Sequence, residues 1–240
     1  MKIKYTHPLI SCICITSGRS SHLLNSIVYF DRQNYPNREL IISYPTGDTS
    51  TYNLLKNISK VVNIRILLIE RIPELSIGMA KNEAIKKCNG TYICIWDDDD
   101  WYSSLRISHQ YNSLITKTAL REASVLRRII LLHNKSKEAY LSSSYTWGGT
   151  LLCKKEIALI HPFLDCNRND DTAIINYLQN TKRLLLIEDD PFIFIFKYHG
   201  NNLTPYYQYQ YHIKTGELLD EETAKNIYNL ANQNFEISQK

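Results

Sequence analysis

The chain has 240 residues, 44% of them hydrophobic, which is enough for one large core or for one domain with a small appendage. Its 28 basic and 24 acidic residues give a net charge of +4, and the cations are spread along the chain. This distribution argues against a dedicated nucleic-acid-binding protein, but leaves open a weak attraction to an anionic membrane or to a phosphate-bearing substrate.

The cysteines and the N-terminus predict where the chain resides. Six cysteines stand at positions 12, 14, 88, 94, 153 and 166 without a C-x-x-C pair, which favours small buried side chains over a zinc site or disulfides. Residues 1–8 show no signal-peptide pattern, and no apolar run approaches the ~20 residues that span a bilayer. We therefore expect a reduced, cytoplasmic protein, with contact at the inner membrane face as a further option.

Strands and helices alternate through the first hundred residues. The predicted strands are Leu9–Thr16, Glu39–Tyr44, Asn63–Ile69 and Tyr92–Trp96. The predicted helices follow a cap at Ser20 or Ser21 and then cover Thr51–Lys60 and Ile77–Lys87. Because the strands are continuous apolar runs, the pattern predicts an α/β fold whose sheet is mostly parallel and flanked by helices on both faces.

The second half has a different order of elements. Predicted helices are Ser103–Leu120, Asp170–Gln179 and Asp220–Asn232, and predicted strands are Val125–Leu132, Thr146–Cys153, Leu184–Ile187 and Phe192–Tyr198. We expect one main domain over residues 1–205, with a tyrosine-rich segment and a helix over 206–240 packed on it. The tyrosines at 206, 207, 209 and 211 are candidates for acceptor contact, membrane contact or simple packing.

Four consecutive aspartates, Asp97–Asp100, follow the fourth predicted strand directly. Two such charges about 6 Å apart repel by roughly 3 kcal/mol at an effective dielectric of 20. A divalent cation such as Mg²⁺ or Mn²⁺ relieves this repulsion, and it shares its oxygen ligands with phosphates. Residues 16–19 and 44–48 follow the first two strands, so all three segments are expected to meet at the carboxyl edge of the sheet, where ligands bind in such folds.

The residues from 8 to 202 resemble, in order, the family 2 glycosyltransferases, which have the GT-A (Rossmann-like) fold. Residues 33–42, Q-N-Y-P-N-R-E-L-I-I, are similar to the family's Q-x-Y-P-x-x-E-L-I-I segment. Residues 78–84, G-M-A-K-N-E-A, resemble its G-x-x-x-A-R-N-x-A segment with lysine for arginine. Residues 97–101, D-D-D-D-W, resemble its D-x-D-D-W element, and together these pieces identify the family better than any one alone.

The resemblance implies transfer of a sugar, with inversion, from a nucleoside diphosphate donor to a hydroxyl. It assigns donor binding to ten residues: Thr16, Ser17, Arg19, Asp48, Lys81, Asn82, Asp97, Asp98, Trp147 and Gly149. Asp99, Asp100 and His199 are the implied ligands of Mn²⁺ or Mg²⁺, although the register within the run is open by one residue. A second interpretation of Asp100 is that it caps the following helix. A second interpretation of His199 is that it is an ordinary surface residue at the end of a strand.

Inversion requires one general base beside the acceptor hydroxyl. Asp170 and Asp171 resemble the family's E-D element, whose second acid is the base, so Asp171 is the candidate and Asp170 would orient it or touch the acceptor. Acids in a first helical turn are also favoured by the helix dipole alone. Trp101 and Trp147 are candidates for stacking on sugar or base, although such tryptophans more often pack in the core or at its rim.

The chain departs from the family pattern in the segment that would recognise the nucleoside of the donor. The family carries D-D-G-S after the second strand, and here the chain reads S-Y-P-T-G-D over residues 43–48. Asp48 would then take the role of the acid, or Tyr44 would stack on the base. The donor is expected to be a UDP-sugar and the acceptor a glycan or glycolipid of surface polysaccharide synthesis. The alternatives are an inactive nucleotide- or carbohydrate-binding module of the same fold and, ranked below it, a sugar nucleotidyltransferase.

Overall fold

The computed structural model describes residues 7–58, 64–117, 120–233 and 235. The strands are β1 (Ile10–Ile15), β2 (Arg38–Pro45), β3 (Ile66–Arg71), β4 (Tyr92–Ile95), β5 (Trp101–Tyr102), β6 (Ala123–Leu126), β7 (Ile130–His133), β8 (Glu138–Leu141), β9 (Leu152–Lys154), β10 (Leu184–Ile187), β11 (Phe194–Tyr198) and β12 (Glu217–Leu218). The α-helices are α1 (Ser20–Asp31), α2 (Thr49–Ile58), α3 (Ile77–Lys87), α4 (Arg106–Lys117), α5 (Lys155–Ile160), α6 (Thr172–Asn180), α7 (Tyr206–Thr215) and α8 (Glu221–Ala231). Among the described helices, none is long and apolar enough to cross a membrane.

The larger sheet has seven strands within the described residues, in the order β10-β6-β9-β4-β1-β2-β3. All neighbours are parallel except β9, which runs antiparallel to β4 and to β6. Along β1, Cys12 and Cys14 face one layer of core and Ile13 and Ile15 face the other, as the two-residue period of a strand requires. Helices α1 and α4 pack on the first face of the sheet, and α3 and α6 pack on the second. Helices therefore cover both faces of the sheet, as predicted.

A smaller sheet stands beside the first, with the order β12-β8-β7-β11-β5 in the described chain. The β7–β11 pair is parallel, and the other pairs are antiparallel. Helix α8 buries Ala224, Ile227 and Ala231 against a cluster that includes Ile130 and Ile195 of this sheet. The C-terminal segment is therefore built into the second sheet through β12 and α8.

Two predicted strands are wrong as single elements. The predicted strand Val125–Leu132 divides into β6 of the larger sheet and β7 of the smaller one, because the chain turns from one sheet to the other between them. In the predicted strand Thr146–Cys153, only Leu152 and Cys153 are extended, and residues 148–150 form a 3₁₀ turn. The hydroxyl of Thr150 holds this turn, since it donates to the Trp147 carbonyl and accepts from the Leu126 amide.

Several boundaries also differ. Helix α1 has Arg19 at its N-cap position without a side-chain capping bond, so the predicted serine cap is wrong. Helix α4 begins three residues later than predicted, and residues 118 and 119 of that prediction lie outside the described residues, as do Asn63 and residues 59–60. The tyrosine-rich segment is a helix, α7, which sequence patterning did not predict. All six cysteines are free, and five of them are buried as expected.

Candidate active site

A cavity of about 700 Å³ opens at the carboxyl ends of β1 and β4. Nine of the predicted site residues line it: Arg19, Lys81, Asp97, Asp99, Asp100, Trp147, Gly149, Asp170 and Asp171. Six others lie outside its lining: Thr16, Ser17, Asp48, Asn82, Asp98 and His199. The topology thus brings together residues that are up to 152 positions apart in the chain, from Arg19 to Asp171.

The side chains of the four aspartates point in different directions, and most of them are bonded to other groups of the protein. Asp98 Oδ2 accepts from the Thr16 hydroxyl at 2.6 Å, and its Oδ1 lies 2.7 Å from Arg19 Nη2. Asp99 Oδ2 lies 2.7 Å from Arg19 Nη1. Asp100 turns to the smaller sheet, where its Oδ1 accepts from the Lys197 amide at 3.1 Å. The helix-capping reading of Asp100 is therefore wrong, because a strand and a turn separate it from α4.

The pKa values of the aspartates differ along the run Asp97–Asp100. Burial raises the pKa of Asp97 to about 6, with Lys81 acting in the opposite direction. Burial and then the neighbouring Asp99 raise the pKa of Asp98 to about 7. Burial also acts to raise the pKa of Asp99, but the hydrogen bond from His199 and the charge of Arg19 outweigh it, and the pKa is lowered. Asp99 is thus the member of this trio that is held in the charged form.

Asp99 and His199 are the best-placed pair for a metal ion. His199 Nε2 lies 3.1 Å from Asp99 Oδ2, and the ring of His22 stacks on His199 at 5.1 Å. Among the described residues no group of three or more His, Cys, Asp or Glu side chains is arranged to hold a metal. A carboxylate oxygen and an imidazole nitrogen still suit Mn²⁺, provided that phosphate oxygens complete the coordination. Asp100 is turned away, so it fits this role less well.

Asp170 and Asp171 have different surroundings. Asp170 Oδ2 forms a buried ion pair with Lys81 Nζ at 2.8 Å. Asp171 occupies the N-cap position of α6, but its side chain makes no capping hydrogen bond, so capping does not explain it. Burial raises the pKa of Asp171, while Lys81 lowers it. The Asp171 carboxylate therefore lies in the cavity with a raised affinity for a proton, as a general base requires.

The two glycines of the 3₁₀ turn make room for the carboxylates. A Cβ at Gly148 would lie 1.4 Å from Asp171 Oδ2, and one at Gly149 would lie 3.6 Å from Asp97 Oδ2. Only a glycine at position 148 therefore lets the Asp171 side chain take its observed position.

Several predicted donor residues have structural contacts instead of cavity contacts. The Asn82 side-chain amide donates to the Phe163 carbonyl and accepts from the Phe163 amide, which fastens α3 to the loop before α6. Asp48 accepts from the Gly18 amide and from the amide and hydroxyl of Thr51. Tyr44 is packed in the core, which leaves its ring no open face for a base. Ser17 is exposed.

Arg71 is a buried cation near the site that the sequence reasoning missed. It ends β3 at the same carboxyl edge, is buried, and donates from Nη2 to the Thr16 carbonyl at 3.1 Å. Its Nε and Nη1 have no hydrogen-bond partner in the described structure. The strand was predicted to end at Ile69, two residues short. With the correct end, the rule that ligands bind at this edge would have indicated Arg71.

Helix α7 contributes the second group that was missed. Gln208, Tyr209 and His212 line the cavity, although their segment was predicted only as a tyrosine-rich tail of open role. Trp101, in contrast, packs with Tyr29 against the core.

Comparison with known proteins identifies the architecture. The model of the family "Glycosyl transferase family 2" matches residues 11–120. TarS 1–349 from S. aureus superposes with a TM-score of 0.60 at 13% identity, over 78% of this chain and 60% of TarS 1–349. The mannosyltransferase PcManGT from Pyrobaculum calidifontis, solved with GDP-Man and Mn²⁺, has a TM-score of 0.63 at 12% identity over 94% and 70% of the two chains.

Glucosyl-3-phosphoglycerate synthase from Mycobacterium tuberculosis, solved with Mn²⁺, UDP-glucose and glycerol 3-phosphate, has a TM-score of 0.53 at 11% identity, covering 75% of this chain and 70% of the synthase. The chain spans only 36% of a longer TarS structure. No curated protein matches the chain in sequence. These neighbours have the GT-A fold, so the predicted fold class is confirmed.

Proposed function

We propose that the chain moves a sugar from a nucleoside diphosphate donor to an acceptor hydroxyl, with inversion, since residues 11–120 match the model of the family 2 glycosyl transferases. A UDP-sugar is the first candidate donor, since structural neighbours hold UDP and UDP-GlcNAc, and GDP-mannose is the second. The acceptor is a glycan or glycolipid of a surface polysaccharide. A cytoplasmic location belongs to the same proposal, and so does a catalytic domain over residues 1–205 on which α7 and α8 pack to complete the cavity and the second sheet.

The position of Asp171 carries the proposal. Asp171 is half-buried, its side chain makes no capping bond to α6, and its carboxylate lies against Gly148 in the cavity that also holds Asp97 and Asp99. A partly buried carboxylate without a structural partner costs free energy, and it is expected where a reaction uses it. This observation favours an active enzyme over an inactive module of the same fold. The short Gly18-Arg19 turn after β1 also disfavours a nucleotidyltransferase with a glycine-rich phosphate loop.

The chain's own residues account for the bond changes. Asp171 takes the proton of the acceptor hydroxyl, and the oxygen attacks the anomeric carbon from the face opposite the leaving group. The bond from that carbon to the diphosphate breaks, and the configuration inverts. Arg19, which lies beside Asp98 and Asp99, is the cation placed to neutralise the negative charge of the leaving diphosphate. Lys81 holds Asp170 and favours the ionised form of Asp171.

Asp99 and His199 would hold Mn²⁺ or Mg²⁺ together with the donor's phosphate oxygens. A bound divalent ion would supply further stabilisation of the charge that develops on the diphosphate. Arg19 contacts the same Asp99 oxygen, so the approach of the ion and the position of Arg19 are linked.

A thermal-shift experiment with UDP, GDP and dTDP, each with and without Mn²⁺, tests donor binding. One nucleotide at a hundred times its dissociation constant should add about 2.7 kcal/mol to the stability. We expect this stabilisation to require Mn²⁺ in the wild type and to be lost in Asp99→Asn. Retained metal-dependent stabilisation in Asp99→Asn would place the metal elsewhere.

Asp171→Asn tests the chemistry separately. We expect it to keep the nucleotide-induced shift and to lose roughly 10²–10⁴-fold in release of nucleoside diphosphate from the donor. UDP-glucose, UDP-N-acetylglucosamine and GDP-mannose serve as donors. Unchanged turnover in this variant would remove Asp171 from the role of base, and no shift with any nucleotide would support the inactive module.

A further inference from the structure

Helix α4 carries two polar side chains into the core behind the cavity. Arg106 and Gln110 lie one helical turn apart, and both are fully buried. Their side chains bond to one another, since Arg106 Nε donates to Gln110 Oε1 at 2.5 Å. Neither residue lines the cavity, so neither can touch a substrate there.

Gln110 connects this pair to the 3₁₀ turn at residues 148–150. Its Nε2 donates to the Thr150 carbonyl at 2.9 Å. The amide and the hydroxyl of Thr150 both donate to the carbonyl of the residue before the turn, so Gln110 binds the residue that closes the turn. The turn in its place sets the position of Gly148, against which the Asp171 carboxylate lies.

Arg106 connects the same pair to the end of β4. Its Nη2 donates to the Ile95 carbonyl at 3.4 Å, two residues before Asp97. The Ile95 amide donates to the Leu151 carbonyl at 2.9 Å, directly after the turn. Arg106 and Gln110 therefore join the strand that leads to the aspartate run to the turn that carries the two cavity glycines.

Arg106 is a buried cation with aromatic neighbours. Its guanidinium carbon lies 5.1 Å from the ring centroids of Tyr102 and Phe194 and 5.9 Å from that of Trp96. The ion pairs of the described residues do not include it. Burial of a charge without an ion pair costs free energy, of which the ring faces offset only a part.

The guanidinium decides which way the Gln110 amide points. A carboxamide has an oxygen that accepts and a nitrogen that donates, and the two have nearly the same shape. Because a guanidinium only donates, the oxygen must face Arg106. The nitrogen then faces the Thr150 carbonyl, which only accepts. A neutral side chain at position 106 that accepts as well as donates would permit either orientation.

We propose that Arg106 and Gln110 are positioning residues for the transfer: they hold the 3₁₀ turn, and through Gly148 the carboxylate of Asp171, in place against the end of β4. This inference rests on the proposed function, and it adds two buried residues that act on the general base only through the turn.

The variant Gln110→Glu separates the orientation of the amide from the packing of the core. The carboxylate keeps the size of the side chain and pairs with Arg106, but it places an oxygen against the Thr150 carbonyl, where a donor is required. The matched control is Asn112→Asp, the same change of amide to acid at an exposed position of α4. Release of nucleoside diphosphate is measured with UDP-glucose, UDP-N-acetylglucosamine and GDP-mannose, and thermal melts check that each variant is folded.

We expect Gln110→Glu to lower kcat roughly 10- to 100-fold, because misplacement of a reacting group by about 1 Å costs up to about 10²-fold. The donor KM and the shift induced by UDP or GDP should stay unchanged, since the bond from Arg106 to the end of β4 is retained. Asn112→Asp should match the wild type throughout.

The double variant Gly148→Ala/Gln110→Glu tests whether the effect passes through the turn. The methyl group at position 148 already displaces the Asp171 carboxylate, so the second substitution should lower kcat by less than about twofold in that background. A merely structural role of Gln110 would give the same fold-loss with and without Gly148→Ala.

The outcomes separate this inference from the proposed function. Unchanged kcat in Gln110→Glu, or equal fold-losses in the two backgrounds, overturns the positioning role and leaves the transferase intact. If Gln110→Glu does not fold, Gln110→Met, which removes both hydrogen bonds, decides the matter by the same comparison. Absence of donor turnover by the wild type overturns the proposed function itself, and this inference with it.

Discussion

Single residues decide which of the clustered carboxylates are available for chemistry. Arg19 contacts Asp98 and Asp99, and the Lys197 amide donates to Asp100, but burial and then the charge of Asp99 still raise the pKa of Asp98 and of Asp100. Asp97 and Asp171 remain at the cavity with a pKa raised by burial. Of these groups, Asp171 is the one that the proposed reaction requires in its ionised form.

The activity should fall on the acid side at a pH above the usual range of an aspartate. Asp171 acts as a base only when ionised, and its raised pKa means that protonation begins at a higher pH than in water. Lys81 lowers this pKa, so Lys81→Met should move the acid limb of kcat/KM to still higher pH. The measurement is a pH–rate profile of donor turnover for both proteins. An acid limb that does not move in Lys81→Met would contradict the assignment of Asp171.

Lys81→Met also breaks the buried ion pair with Asp170. Loss of one partner of such a pair can cost 3–5 kcal/mol, so the profile is recorded well below the melting temperature of the variant.

Arg71 should contribute to recognition of the nucleotide. Its guanidinium donates to the Thr16 carbonyl at 3.1 Å, and it thereby supports the turn after β1 that carries Arg19 into the cavity. Arg71→Met should weaken nucleoside diphosphate binding roughly tenfold, the value of a hydrogen bond to a charged group. Isothermal titration with UDP and GDP measures this. Arg65→Met, an exposed position just before β3, is the control and should bind as the wild type does.

At the scale of elements, family motifs combine structural and chemical residues. In the segment 33–42, Gln33 bonds three backbone groups of other segments, through Tyr29, Ser103 and Ile107. Glu39 accepts from the Ser11 hydroxyl and from the amide and side chain of Asn89. These residues fasten β1, β2 and the start of β4 together. Residues that carry the resemblance to the family therefore have structural contacts in this chain.

The 3₁₀ turn at residues 148–150 is the element that most directly positions the base. Gly148→Ala places a methyl group where Asp171 Oδ2 lies, and the flexible carboxylate must move away. We expect about a hundredfold loss of donor turnover, the usual effect of a displacement near 1 Å, with little change in melting temperature. Gly149→Ala is the matched variant, whose methyl makes an ordinary 3.6 Å contact, and it should lose much less activity. Equal activities for the two variants would argue against the proposed position of the base.

At the scale of the whole molecule, the C-terminal helices complete both the second sheet and the cavity. α8 buries Ala224, Ile227 and Ala231 on β7 and β11, and Tyr209 of α7 stacks on Tyr198 at 4.4 Å. The tail thus covers apolar surface that residues 1–205 would otherwise expose.

A chain that ends at residue 205 should therefore be strongly destabilised. We expect loss of a cooperative thermal transition, since the exposed cluster includes Ile130, Leu132 and Ile195. Circular dichroism melts of the shortened and full chains provide the measurement. A shortened chain with the melting temperature of the full one would show that residues 1–205 fold independently, as the predicted domain boundary allows.

The sequence alone indicated the parallel sheet, the resemblance to the family and the edge of the sheet where the candidate site lies. Continuous apolar strands that alternate with helices specify a parallel sheet, because only a sheet covered on both faces buries them. The aspartate run could then be placed at the carboxyl edge by topology, whereas the acids before α6 were identified through the resemblance to the family. These inferences depend on local pattern and on residue order, which a sequence contains.

The tertiary structure alone decided which partner each carboxylate has. That Asp99 meets Arg19 and His199, while Asp100 meets the Lys197 amide, depends on contacts between segments about a hundred residues apart. The division of Val125–Leu132 between two sheets and the place of α7 over the cavity likewise arise from packing, which overrides local strand propensity. The bond from Gln110 to the Thr150 carbonyl and the unpaired nitrogens of Arg71 were invisible in the sequence for the same reason: the partner of a polar atom is decided by its surroundings, and only the folded chain supplies them.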